Sequence, residues 1–162
     1  MQTQSLKMLD RNPSVTARTL SAWNGAWVPA PAAVDVDPGE LRILIVNEDM
    51  RSADTLKCML RDLGYRATYT AYSAQRALML ADSFSPTLAL LDLELPDMSG
   101  FQLAQKFRAH RHSHVRNMCL LAVAECVLEG ECDRASAAGF TGYLTKPVPR
   151  LQLDQLMRAL GR

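Results

Sequence analysis

Thr87-Leu-Ala-Leu-Leu-Asp-Leu-Glu-Leu-Pro-Asp-Met-Ser-Gly100 decides the fold. Its first part is apolar without alternation and stops at an acid, Asp92; Pro96 and Gly100 then punctuate a turn. Continuous apolarity suits a strand buried on both faces, which is what a parallel sheet covered by helices requires. The pattern recurs on either side, in Arg42-Ile-Leu-Ile-Val46, Ala67-Thr-Tyr-Thr70, Met118-Cys-Leu-Leu-Ala-Val123 and Gly142-Tyr-Leu-Thr145. Amphipathic stretches lie between these runs. Ala53, Leu56, Leu60 and Leu63 recur at helical spacing before Gly64, predicting a helix over 50–63. Ser73 suits the N-cap of a second helix, which ends before Ser85-Pro86. Phe101, Ala104 and Phe107 mark a third, Leu128 to Ala138 a fourth closed by Gly139, and Leu153, Leu156, Met157 and Leu160 a fifth. Five strands alternating with five helices make an α/β domain whose parallel sheet is covered by helices.

The chain has 162 residues, room for one core plus an arm. Lys and Arg number 18 against 17 Asp and Glu, a formal net charge of +1, and no basic run supplies a nucleic-acid footprint. An apolar fraction of 48% with only 6% aromatic residues rests the core on Leu, Ala, Val and Met. Cys58, Cys119, Cys126 and Cys132 form no C-x-x-C pair, so neither a zinc ribbon nor a dithiol motif is spelled out, and buried thiols are usually inert. No signal peptide and no run of about 18 apolar residues is present, so the expectation is a cytoplasmic chain without a membrane partner.

Residues 1–40 differ in character. Pro13, Pro29, Pro31 and Pro38 mark a leader or linker, and Ala22-Trp-Asn-Gly-Ala-Trp27 carries Asn24-Gly25, a two-residue hairpin signal. A docking arm that buries Trp23 and Trp27 and a plain linker both fit this stretch. The compact domain is expected over 41–162. His110-Arg-His-Ser-His114 holds all three histidines; its position between the third helix and fourth strand makes it a solvated basic loop rather than a metal site.

In open parallel sheets, ligands gather outside the carboxyl ends of the strands. There the first strand ends in Asn47-Glu48-Asp49, the third in Asp92, and the fifth in Lys146-Pro147. Carboxylates and carbonyls suit a hard divalent cation, and a lysine is a point charge suited to a phosphoryl oxygen. Glu48 and Asp49 also suit the N-terminus of the first helix, where acids meet its dipole; that role can coexist with metal binding.

Leu91-Asp-Leu-Glu-Leu-Pro-Asp-Met-Ser-Gly100 resembles the phosphoacceptor segment of two-component response regulator receiver domains. The resemblance extends to the acidic turn at 43–49, Gly64-Tyr65, Ala138-Gly139-Phe140 and Tyr143-Leu-Thr-Lys-Pro147. It implies a flavodoxin-like fold with a doubly wound five-stranded parallel sheet and five helices, a cis Lys146-Pro147 bond, and a signalling module rather than an enzyme. It further implies that Asp92 accepts a phosphoryl group from a histidine kinase or histidine phosphotransfer protein. Mg2+ would be held by Asp92, Glu48 and the backbone carbonyl of Glu94, with Asn47 and Asp49 as further candidates, and Lys146 would neutralise the phosphoryl oxygens.

Two positions depart from the family pattern. Asn47 stands where an acid is usual, which removes charge from the metal site, and Ala124 stands where a Thr or Ser hydroxyl normally couples the phosphoryl group to the aromatic residue of the fifth strand, here Tyr143. These departures keep a second function open, a pseudo-receiver that binds partners without phosphorylation. Asp92-Leu-Glu94 also resembles the nucleophile motif of aspartate-based phosphatases, but that motif ends a first strand and carries Asp at its third position. Output is expected through protein contact, with the first helix facing the kinase and the last two helices facing a downstream protein or a second copy in a homodimer.

Overall fold

The apolar runs assemble into one five-stranded sheet of order β2-β1-β3-β4-β5, with every pairing parallel. The structure, a computed structural model, describes residues 38–125 and 130–160. The leader with Trp23, Trp27 and the Asn24-Gly25 turn lies outside the described residues, as do Cys126 and Leu128. Strands β1 (Ile43–Val46), β2 (Thr68–Ala71), β3 (Leu88–Asp92), β4 (Cys119–Ala124) and β5 (Gly142–Thr145) alternate with α1 (Met50–Asp62), α2 (Ala74–Phe84), α3 (Gly100–Arg108), α4 (Ser113–Asn117), α5 (Glu131–Ala138) and α6 (Arg150–Leu160).

Both faces of the sheet are covered, which explains why the strands read as unbroken apolar runs. In β1, Ile43 and Ile45 pack with Ala53, Leu56 and Leu60 of α1 and with Leu153, Leu156 and Met157 of α6. Leu44 and Val46 point the other way, toward Ala77 and Ala81 of α2, Leu103 and Phe107 of α3, and Ala135 of α5. The five helices expected from the periodicity are present. The structure adds α4 inside the histidine-rich stretch, which the sequence reads as a loop. This helix is five residues long, has no side-chain cap and buries only Val115, so it is too short to show a period.

Side-chain caps start the first three helices. Asp49 caps α1, Ser73 caps α2 by accepting from Arg76 N–H, and Ser99 caps α3 in a reciprocal capping box with Gln102. The sheet register pairs Val46 with Leu91, Asp92 with Val123, and Ala124 with Thr145. Asn47, Asp92, Ala124 and Lys146 therefore all lie along the carboxyl edge, where the strand order reverses about β1 and β3.

Candidate functional site at the carboxyl edge

Asp92 is the last residue of β3 and is only 6% exposed. Both of its carboxylate oxygens are engaged: Lys146 Nζ lies 2.6 Å from Oδ2, and the Glu94 backbone N–H donates to Oδ1 at 3.0 Å. Lys146 is held by its own backbone, whose N–H donates to the Ala124 carbonyl at 2.7 Å, and the Lys146–Pro147 peptide is cis, as the resemblance implies. A partly buried ion pair that also takes a backbone hydrogen bond is a well-determined arrangement for a carboxylate.

The loop after Asp92 closes on itself. Gly100 N–H donates to the Leu93 carbonyl at 2.8 Å, and Glu94 bridges Ser99 in antiparallel fashion. A Cβ at Gly100 would collide with the Asp92 carbonyl oxygen and come within 2.8 Å of Leu93 Cα, so only glycine lets α3 start this close to the acceptor. Asp97, at the far end of the loop, accepts from the N–H groups of Ala74 at 2.9 Å and Gln75 at 2.8 Å. The bond from Gln75, then that from Ala74, holds its carboxyl below the usual carboxylate range. Sequence reasoning passed over Asp97 because its partners lie on another helix, 22 and 23 residues upstream.

The acidic turn after β1 divides its work. Asn47 is 2% exposed, its N–H donates to the Ala71 carbonyl at 3.0 Å, and its Oδ1 accepts from Asp49 N–H at 2.8 Å. Asp49 is exposed and works as a helix cap, accepting from Ser52 Oγ at 2.6 Å and Arg51 N–H at 3.2 Å. Those bonds, the one from Ser52 foremost, lower its carboxyl pKa. Glu48 is exposed at the same edge.

Among the described residues, no three His, Cys, Asp or Glu side chains converge as a ready metal cage. Mg2+ needs no such cage, since it keeps several waters and takes one or two carboxylates. The oxygen donors of Asp92, Glu48 and the Glu94 carbonyl match it in kind. The buried position beside them is an amide, Asn47, so the site brings fewer charges than a pair of acids would.

At the end of β4, Ala124 is 8% exposed and presents a methyl group, so no side-chain hydroxyl is available there. Tyr143 is fully buried in β5, and its hydroxyl donates to Glu131 Oε2 at 3.1 Å in the first turn of α5. Nothing in the periodicity marks Glu131; its only sequence signal is an acid directly after Gly130, at a helix start.

The histidines gather elsewhere, at the opposite end of α3. The Nε2 atoms of His110 and His112 each lie 3.4 Å from Asp82 Oδ1, and Arg111 lies 3.3 Å from the same oxygen. The stretch is thus a basic segment tied to α2, and it contributes nothing to the carboxyl edge. Cys119 is buried in β4, and burial pushes its thiol pKa up to about 11, which leaves it protonated and inert.

The comparisons with known proteins agree with this geometry. A family model for the response regulator receiver domain matches residues 43–158. This chain belongs to that family. The receiver is 36% identical over 121 residues to an uncharacterized 14.6 kDa protein of Leptolyngbya boryana, an alignment covering 74% of this chain and 88% of that protein. It is 30% identical over 124 residues to hybrid signal transduction histidine kinase G of Dictyostelium discoideum, covering 76% of this chain but 4% of that protein. Its fold is also that of the chemotaxis protein CheY4 of Vibrio cholerae, with a TM-score of 0.69, 22% identity, and coverage of 74% of this chain and 98% of that one. Receiver domains of two-component systems are in general signalling modules. Among the described residues of this one, no helix is long and apolar enough to cross a membrane.

Proposed function

We propose that this receiver is the phosphoacceptor of a phosphorelay, taking a phosphoryl group on Asp92 from the phosphohistidine of a histidine kinase or histidine phosphotransfer protein. The observation that carries the proposal is the 2.6 Å pair between Asp92 and Lys146 at the mouth of β3. An Asp92 oxygen attacks phosphorus as the bond to the histidine nitrogen breaks; the imidazole keeps the electron pair and takes a proton from solvent. Lys146 exchanges the carboxylate for a phosphoryl oxygen, while Glu94 N–H continues to orient the other Asp92 oxygen. Asp92, Glu48 and the Glu94 carbonyl would hold Mg2+, which would supply charge neutralisation there. Phosphoryl transfer depends on such positioning and charge compensation more than on covalent assistance.

In this proposal the unit over 41–162 works in the cytoplasm and signals by protein contact, through α1 toward the kinase and through α5, β5 and α6 toward a downstream protein or second copy. The leader over 1–40 is a docking arm or linker. A second reading, the phosphorylation-independent pseudo-receiver, is favoured by Asn47 and Ala124. Incubating the purified chain with acetyl phosphate and Mg2+ separates the two. The acceptor reading expects an acid-labile aspartyl phosphate that is absent from Asp92→Asn; if the wild-type chain stays unmodified and does not respond to beryllofluoride, the pseudo-receiver stands instead. A chromogenic phosphatase assay should show no steady turnover.

A further inference from the structure

Of the four leading N–H groups of α2, three are satisfied by side chains, and these come from two directions. Ser73 Oγ accepts from Arg76 N–H at 3.2 Å, within the helix's own cap. Ala74 and Gln75 donate instead to Asp97, one to each carboxylate oxygen, at 2.9 and 2.8 Å. A helix start leaves these donors without intrahelical partners, and a carboxylate bonded there is favoured by charge and by the helix dipole. Here the carboxylate belongs to the loop that carries the acceptor site.

That loop has few ways to move. Its neck is closed beside Asp92 by the Gly100 to Leu93 bond and the Glu94–Ser99 bridge, and its tip packs Leu95 and Met98 against the core. Asp97 adds the polar tie that fixes the tip to the adjacent helix. Glu94 is part of the neck; its N–H donates to Asp92 Oδ1, and its carbonyl is a metal ligand in the function proposed above.

We propose that Asp97 is a positioning residue of the acceptor site, setting the Glu94 peptide and through it the Asp92 carboxylate by anchoring the loop to the start of α2. The inference rests on the phosphoacceptor function only for its chemical consequence; the mechanical tie stands by itself. A displacement of about 1 Å at a reacting group costs up to about 100-fold in rate, so a loosened loop shows in the chemistry before it shows in the fold.

The test uses the full chain with Asp97→Ala, Asp97→Asn and Ser73→Ala, and reads backbone amide exchange by NMR together with the Mg2+ concentration for half-maximal phosphorylation by acetyl phosphate. In Asp97→Ala, exchange at Ala74, Gln75 and Glu94 should quicken by about 10-fold or more. The half-maximal Mg2+ concentration should rise by about 5-fold. Asp97→Asn keeps one acceptor oxygen and should recover part of both effects; it carries the test if the alanine variant does not fold. Ser73→Ala loosens the same helix end without touching the loop and should leave Glu94 exchange and the Mg2+ requirement unchanged. The proposal is overturned if Asp97→Ala frees Ala74 and Gln75 while Glu94 and the Mg2+ requirement match wild type, or if Ser73→Ala disturbs Glu94 equally. If the wild-type chain accepts no phosphoryl group, the acceptor function falls, and Glu94 exchange alone still decides whether Asp97 positions the loop.

Discussion

The two flanks of the carboxyl edge are built differently. On the β3 side, Asp92 has both oxygens bonded, its partner Lys146 is pinned to β4 by a backbone bond, and Gly100 and Asp97 fix the loop at its neck and tip. On the β4 side, the strand ends in the methyl group of Ala124, and the buried Tyr143 hydroxyl is given to Glu131 of α5. The first flank presents a carboxylate, an ammonium group and a backbone N–H at one point. The second presents a methyl group at the corresponding strand end. Under the proposed function, accepting phosphate and reporting it would therefore fall to different residues, so that one could be kept while the other is altered.

The largest effect should come from the β3 flank. Lys146→Ala removes the positive charge beside Asp92, and loss of one such group from a preorganised site lowers the rate of phosphoryl transfer by about 100-fold. It also leaves a buried carboxylate without its ion-pair partner. That costs about 2 kcal/mol, below the figure for a fully buried pair because Lys146 keeps 25% of its side-chain exposure. Initial rates with acetyl phosphate and a thermal melt measure the two consequences separately. An unchanged phosphorylation rate would break the contrast between the flanks, since the best-tied residue of the site would then have no chemical role.

The same contrast governs what could be read in the sequence. The sheet was legible because burial on both faces removes alternation, and β1 shows it directly: Ile43 and Ile45 go to one core, Leu44 and Val46 to the other. Asp92 and Lys146 were legible because each terminates an apolar run, and strand ends converge in a parallel sheet. Asp49 was legible twice, as a metal donor and as a helix cap, and the structure employs it as the cap. Asp97 and Glu131 were not legible, because their partners stand on other elements and long-range hydrogen bonds leave no local period. Helix α4 escaped because one buried valine cannot make a pattern.

On the β4 flank the expected effects are smaller. Tyr143→Phe keeps the ring and removes the hydrogen bond to Glu131, which should cost about 1 kcal/mol and lower the melting temperature by about 4 °C. Phosphorylation at Asp92 should proceed at the wild-type rate. Ala124→Thr sharpens the contrast from the other side. With a hydroxyl restored at the end of β4, Mg2+ and beryllofluoride should shift the Tyr143 ring resonances, whereas in the wild-type chain the ring should stay as it is. A wild-type ring that responds as strongly as the variant's would show that the two flanks communicate without the hydroxyl.

The smallest effect concerns acid stability, and its sign follows from Asp97. Hydrogen bonds from Gln75 and Ala74 lower its folded-state pKa beneath the ordinary value of 3.8. The unfolded chain therefore takes up this proton first as pH falls, and the stability contributed by the cap is fully present above the ordinary value. It is lost as pH drops through the folded-state pKa. Asp97→Asn has no charge to titrate, so melting curves of the two proteins should differ most above the ordinary carboxylate range and converge as the pH falls below it. Because Asp97 is largely solvated, salt should weaken the difference further. Curves that coincided at every pH would mean that the loop is held to α2 by the packing of Leu95 and Met98 rather than by the charge at its tip.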